Sequence, residues 1–228
     1  MSTGKILVWD LPVRLVHWLL VVSFAGAFLT ADSERHRDLH VLFGVTLVGL
    51  IVFRIVWGLV GTRYARFGSF VFGPRAVLRY LWSIATLKSV RYLGHTPAGS
   101  WVIWLMLALG ISVGVTGYGA YNGGPGWLED AHEALAWSLL AVVGVHVTGV
   151  LLSSVLHREN LVAAMITGKK WGDASQAIRG SRWAVGVVLA AMVLAFWLDL
   201  VSIPGIDIRP GAAKVVDLRH GGGHTGDD

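Results

Sequence analysis

The segment His132-Glu133-Ala134-Leu135-Ala136-Trp137-Ser138-Leu139-Leu140-Ala141-Val142-Val143-Gly144-Val145-His146 decides the fold of this chain. It is almost wholly apolar and carries a histidine at each end, fourteen residues apart. Fourteen steps of about 100° bring a helix back to within about 40° of the same face, and a rise of about 1.5 Å per residue sets the rings ~21 Å apart. A bilayer-spanning helix with imidazoles on one face at two depths predicts two haem positions, one near each side. Imidazole is a standard axial ligand, and ionisable groups inside hydrocarbon are costly enough to point to function.

Composition agrees with a membrane setting. The 228 residues are 54% hydrophobic and 14% charged, with a mean hydropathy of +0.62, which excludes an ordinary soluble domain. Eleven tryptophans suit the water–hydrocarbon boundary. There is no cysteine, so disulfides, thiolate metal sites and cysteine-held iron–sulfur clusters are excluded. The attachment sequence C-x-x-C-H is absent too, so any haem is b-type and held without covalent bonds. The net charge of +5 is distributed to set topology and does not predict nucleic-acid binding.

Five stretches are long and apolar enough for about 30 Å of hydrocarbon: Leu15–Ala31, Leu39–Val60, Ser100–Gly117, Ala131–Leu156 and Trp183–Val201. The segment Gly61–Ala98 contains Arg63, Arg66, Arg75, Arg79, Lys88 and Arg91 and no acid; Arg158, Lys169, Lys170, Arg179 and Arg182 follow the fourth stretch. Tyr118–Asp130 has no Lys or Arg and ends in Glu129 and Asp130. By the positive-inside rule the N-terminus is cytoplasmic and the C-terminus external. A cleaved signal peptide ending at Ala25-Gly26-Ala27 would discard His17, and the later loops already fit a retained first span. Within the basic loop, Pro74 precedes Arg75–Arg91, where Val77, Leu78, Leu81, Trp82, Ile84 and Leu87 recur at helical spacing, as in an amphipathic helix lying on lipid. The expected organisation is all-α: a four-helix transmembrane di-haem core over 1–175, an additional span over 176–203 and a polar external tail over 204–228. In that tail His220 and His224 read as solvated residues.

Alternating spans place His40 with His132 near the outside and His17 with His146 near the inside. Each pair supplies two axial nitrogens. Arg54, fourteen residues after His40, repeats that phase and offset, so it faces the bundle at the inner level, where a haem propionate is a fitting counter-charge. Gly44, one turn after His40, lets a flat macrocycle approach the backbone; for Gly110, Gly114 and Gly117, helix packing is the leading reading. A lone membrane histidine more often serves an interhelical hydrogen bond, but four that pair by depth are hard to assign that way. His36 and His157 compete for slots by phase, although both fall beside charged residues, and His95 reads as a structural loop residue.

These residues stand in recognisable words. Val8-Trp9-Asp10-Leu11-Pro12-Val13-Arg14 with His17-Trp18, His40-x-x-x-Gly44 with Arg54 and Trp57-Gly58, and Gly94-His95-Thr96-Pro97-Ala98-Gly99 resemble the bacterial cytochrome b-561 family, which includes the b-type subunits of nickel–iron hydrogenases. Thr96 departs from that family's usual Asn. His132-Glu133, His146-Val147, His157-Arg158-Glu159-Asn160-Leu161 and Gly168-Lys169-Lys170 also match, over roughly residues 8–170. The resemblance implies a four-helix di-haem core moving electrons between the membrane quinone pool and a redox partner. Its ligands fall on His17, His40, His132 and His146.

Three functions are weighed. The first is transmembrane electron transfer between quinone or quinol and a periplasmic cytochrome c, a hydrogenase or another redox subunit, the chain being a carrier or a subunit of a quinone-linked oxidoreductase. The second is direct oxidation of a small species such as superoxide at the outer face, which Arg35 and Arg37 favour weakly and Asp32, Glu34 and Asp38 oppose. The third is a haem-free proton or metal transporter or membrane anchor. Against it, there is no intramembrane carboxylate cluster, Asp199 standing alone near the end of the fifth stretch.

Overall fold

The computed structural model describes residues 3–88 and 90–201; the tail with His220 and His224 lies outside the described residues. In chain order the elements are β1 (Thr3–Leu7), α1 (Leu11–Leu29), α2 (Arg37–Val60), α3 (Pro74–Ala85), α4 (Pro97–Tyr121), α5 (Trp127–Leu156), α6 (Leu161–Thr167), β2 (Lys169–Asp173) and α7 (Trp183–Trp197). Four helices among the described residues are long and apolar enough to cross a membrane, corresponding to α1, α2, α4 and α5. Their outward faces carry bare apolar side chains such as Val22, Val52, Leu59, Val115 and Val155, as expected of surfaces solvated by lipid tails.

α1 and α2 form one antiparallel pair and α4 and α5 another, with α2 touching α4 between them. Small residues let these helices approach. A Cβ on Gly26 would sit 2.6 Å from the Phe43 ring, and one on Gly110 or Gly114 would collide with Ile51 or Val48. Those last two glycines serve the α2–α4 contact, as the packing reading requires. By contrast, α5 has no extensive backbone contact with α1 or α2 among the described residues. A crevice therefore opens between the two pairs on the α5 side.

One end of the bundle is closed by a small antiparallel sheet that helical periodicity did not predict. β1 pairs with β2 from Thr3↔Asp173 to Leu7↔Lys169. The pairing continues into the turn, where the amides of Val8 and Trp9 both donate to the Gly168 carbonyl at 2.8 and 3.1 Å. Gly168 ends α6 in the left-handed region (φ 78°), and a Cβ there would lie 2.6 Å from the Trp9 carbonyl oxygen. Gly168→Ala therefore carries both backbone strain and a backbone clash. We expect it to cost about 2 kcal/mol or more, read as a lower midpoint in thermal unfolding.

At this sheet end Asp10 is fully buried and ties three elements together. Its Oδ1 caps α1 by accepting from the Val13 amide (2.9 Å), while Oδ2 accepts from Trp57 Nε1 (3.0 Å) and Thr62 Oγ1 (2.7 Å). Pro12 in the first turn of α1 is preset for helix and needs no amide partner. The α5–α6 turn is bound in by Glu159, which meets Arg91 at 2.9 Å and Lys170 at 3.6 Å. Burial holds the Lys170 ammonium below its ordinary range, with Glu159 opposing that shift.

The amphipathic helix runs from Pro74 to Ala85 and stops short of the expected Arg91, because the chain turns at Thr86 and Leu87 takes φ 56°. Tyr80 faces the protein, and Leu78, Leu81 and Trp82 form an exposed apolar stripe. The fifth stretch is shorter than expected. α7 has 15 residues, or about 22 Å at 1.5 Å per residue, against about 30 Å of hydrocarbon. It lies along α1, with Gly186 against Leu11 and Trp197 Nε1 donating to Thr46 Oγ1 at 2.9 Å.

Candidate cofactor site

All four paired histidines face the crevice across from each other. His17 on α1 meets His146 on α5 with ring centres 6.5 Å apart, near the sheet end. His40 on α2 meets His132 on α5 with ring centres 6.0 Å apart, at the far end. His36 is exposed and hydrogen-bonds Ser33 (2.9 Å). His157 caps α5 beyond both pairs. The two close histidine pairs are formed by His17 with His146 and by His40 with His132.

The far pair is held from behind. His40 Nδ1 lies 2.8 Å from the Ala27 carbonyl oxygen, and His132 Nδ1 lies 2.9 Å from that of Val113. A carbonyl can only accept, so each Nδ1 carries the proton and each Nε2 is left with a free lone pair. This tautomer is the one a metal ligand needs, with the second nitrogen fixing ring orientation. Gly117 makes room for it. A Cβ there would stand 2.8 Å from His132 Cε1 and 2.9 Å from its Nδ1. The helix-packing reading holds for Gly117 too, and its neighbour on α5 is the His132 imidazole. Sequence carried a signal for this, since Gly117 extends the Gly110/Gly114 stripe to the level of His132.

Gly44 is bordered by open space, with nothing within 4 Å of a built Cβ, and so are Gly144 and Gly149 on either side of His146. Gly44, one turn from His40, leaves room for a flat group beside that ring, whereas Gly144, two residues from His146, lies on another face of α5. We expect Gly44→Leu to fold but to lose most of the group held by His40 and His132, which pigment content per purified chain would reveal.

The sheet-end pair has a cationic surround. Arg54 is 8% exposed, and its guanidinium lies 5.0 Å from the Phe67 ring centre and 5.8 Å from that of Phe70. Its Nη1 is buried without a hydrogen-bond partner, as are Arg14 Nε and His17 Nδ1. His95 is wedged between Trp9 and Phe70, with ring centres 4.8 and 4.1 Å away, and its Nδ1 is also buried without a partner. Burial first, then the charges of Arg54 and Lys170, push the His95 imidazole down to about 3, so it is neutral at physiological pH. The unfolded chain protonates this residue near 6.5 and the folded chain does not. Stability therefore falls as pH drops from about 6.5 towards about 3. His95→Gln is expected to shallow that acid limb by a few kcal/mol at most in unfolding midpoints measured against pH.

These residues fit a haem. A metal–imidazole bond of about 2.0 Å, with about 1.1 Å from nitrogen to ring centre, puts two imidazoles on opposite sides of one metal about 6.2 Å apart. The observed 6.0 and 6.5 Å bracket that value. Among the described residues no three or more of His, Cys, Asp and Glu gather as a metal-ion cluster. Two imidazoles are the number of protein ligands that a six-coordinate haem iron takes. The orphaned Arg54 Nη1 and His95 Nδ1 are suitably placed for propionate oxygens.

Comparison with known proteins bears on the same region. The family model described as prokaryotic cytochrome b561 matches residues 8–168. The chain is 22% identical over 212 residues to a probable Ni/Fe-hydrogenase B-type cytochrome subunit of Rhizobium leguminosarum bv. viciae, covering 73% of this chain and 89% of that protein. It is 23% identical over 212 residues to a protein of the same description from Cupriavidus necator, covering 71% and 85%. No solved structure matches the chain. The family match runs from the Trp9-Asp10 cap of α1, through every helix that bears a paired histidine, to the Gly168 turn, and the chain thus belongs to the prokaryotic cytochrome b561 family of membrane b-type cytochromes that carry electrons.

Proposed function

We propose that this protein moves electrons across a bacterial inner membrane through two non-covalent b-type haems, between the quinone pool and a redox partner. His40 and His132 would hold one, His17 and His146 the other, with Arg54 and Gly44 as further contacts. The observation that carries the reading is the separation of both ring pairs, each close to that of trans axial imidazoles. When bound, the groups supply reversible one-electron chemistry at iron. With two imidazoles at each position, the histidines would leave no open place for oxygen.

The basic sheet end, with Arg63, Arg66, Lys88 and Lys169, faces the cytoplasm on this reading, and the acidic far end with Glu129 and Asp130 faces the periplasm. α7 with the residues after it would form the fifth span, leading the C-terminal tail outside. The relatives' description as hydrogenase cytochrome subunits favours a hydrogenase or similar redox subunit as partner, with a periplasmic cytochrome c as the alternative. The α3 stripe of Leu78, Leu81 and Trp82 would rest on lipid at the cytoplasmic surface.

The test is haem stoichiometry. Protein purified in mild detergent should yield two b haems per chain in a pyridine haemochrome assay. One haem would refute the second site, and none would refute the function.

A further inference from the structure

We propose that α3 holds anionic phospholipid, its apolar stripe lying among the acyl chains while Arg75 and Arg79 take the phosphates of the headgroups. The inference deepens the membrane placement given above and rests on it for the leaflet, the cytoplasmic one.

The exposed side of α3 has two unlike parts. At about 100° per residue, Leu81, Ala85, Leu78 and Trp82 share an arc of about 100°, and Arg75 and Arg79 follow about 20° and 60° beyond Trp82. Leu78 and Trp82 are 66% and 73% exposed, and both arginines are exposed. Tyr80 projects from the opposite side, where it is buried edge-on to Tyr92 with ring centres 5.7 Å apart. An apolar stripe bordered by cations is the pattern of a helix lying in the plane of the headgroups.

The depth of α3 is set independently, by α4. Trp101, just over one turn into that apolar helix, donates from Nε1 to the Phe72 carbonyl at 2.9 Å. Phe72 stands two residues before Pro74, so α3 begins level with the first turns of a span. Half-exposed tryptophans sit at that boundary between hydrocarbon and headgroup.

The positive charge has no counterpart close by in the chain. Gly61–Ala98 contains no Asp or Glu. Glu159, the carboxylate of the α5–α6 turn, is bound to Arg91 and Lys170. Anionic lipid supplies both missing halves, negative charge for the arginines and acyl chain for the stripe. An acidic protein surface would meet the arginines but not the leucines and tryptophan beside them at the hydrocarbon edge.

The chain has no cysteine, so Leu81→Cys offers a single attachment point for a bimane fluorophore on the stripe. The labelled full-length protein is placed in nanodiscs of mixed phosphatidylcholine and phosphatidylglycerol, with the acyl chains of one lipid or the other brominated to quench the label. Brominated phosphatidylglycerol should quench at a mole fraction about fivefold lower than brominated phosphatidylcholine, the preference that one arginine at an anionic surface supplies. Adding Arg75→Gln and Arg79→Gln should bring the two lipids together. Equal quenching with both arginines in place would overturn the proposal. So would no quenching by either lipid, which would show the stripe covered by a second copy or another protein. Haem content is a separate readout: two haems with an unquenched label would remove this inference and leave the electron-transfer reading, and selective quenching without haem would do the reverse.

Discussion

His132→Ala is expected to halve the haem content of the protein while leaving it folded in the membrane. His132 sits on α5, whose neighbour α4 supplies both the Val113 carbonyl behind the ring and the Gly117 gap beside it. Removing the imidazole leaves His40 alone opposite an empty position. A single axial bond without its trans partner should not retain a non-covalent group through purification. The sheet-end pair lies about 21 Å further along the same helix and shares no contact with His132, so its haem should remain. His36→Ala is the contrast, since His36 is exposed and bonded only locally to Ser33. It should leave the count at two. A haemochrome assay on both variants decides the ligand set; loss of both haems in His132→Ala would mean that the sites are not independent.

Replacing Asp10 should have the largest effect on stability. Asp10→Ala removes the cap of α1, which costs about 1 kcal/mol, and leaves Trp57 Nε1 and Thr62 Oγ1 without their acceptor. Each stranded buried donor costs about 1–3 kcal/mol. The total of about 3–7 kcal/mol is a large part of the roughly 5–15 kcal/mol that separates folded from unfolded chains. Asp10→Asn keeps the volume and one acceptor oxygen, so it should recover part of the loss. Thermal unfolding in detergent, followed by circular dichroism, would rank the three proteins. Equal midpoints for wild type and Asp10→Ala would show that this carboxylate does not hold the sheet end together.

The helices and histidine pairs were legible because hydropathy and the 3.6-residue period are local signals. Depth alone paired His40 with His132 and His17 with His146, and the ring contacts follow that pairing. Arg54 was likewise placed by its phase, and it is buried at the sheet end beside Phe67 and Phe70. What sequence did not show depends on contacts far apart in the chain. Thr3–Leu7 has no alternation that marks a strand, and its partner lies at Lys169–Asp173. The Trp9-Asp10 pair was noticed as a family word, but its bonds to Trp57 and Thr62 need tertiary structure to see. The lengths of α3 and α7 were overestimated for a different reason: apolar residues continue past the point where the backbone turns, at Leu87 and Asp199, both at positive φ.

The crevice between the two helix pairs also bears on how the protein is made. α1–α2 and α4–α5 are hairpins that pack well internally and can enter the bilayer one after the other as they emerge from the ribosome. Between them stand the α2–α4 contact and the sheet, and α5 meets α1 and α2 through the edge contact of Trp137 with Phe28 (ring centres 5.1 Å apart) and the two pairs of imidazoles. A group held between the facing imidazoles would then be the last structural part to arrive, a clasp across two helix pairs that are already packed.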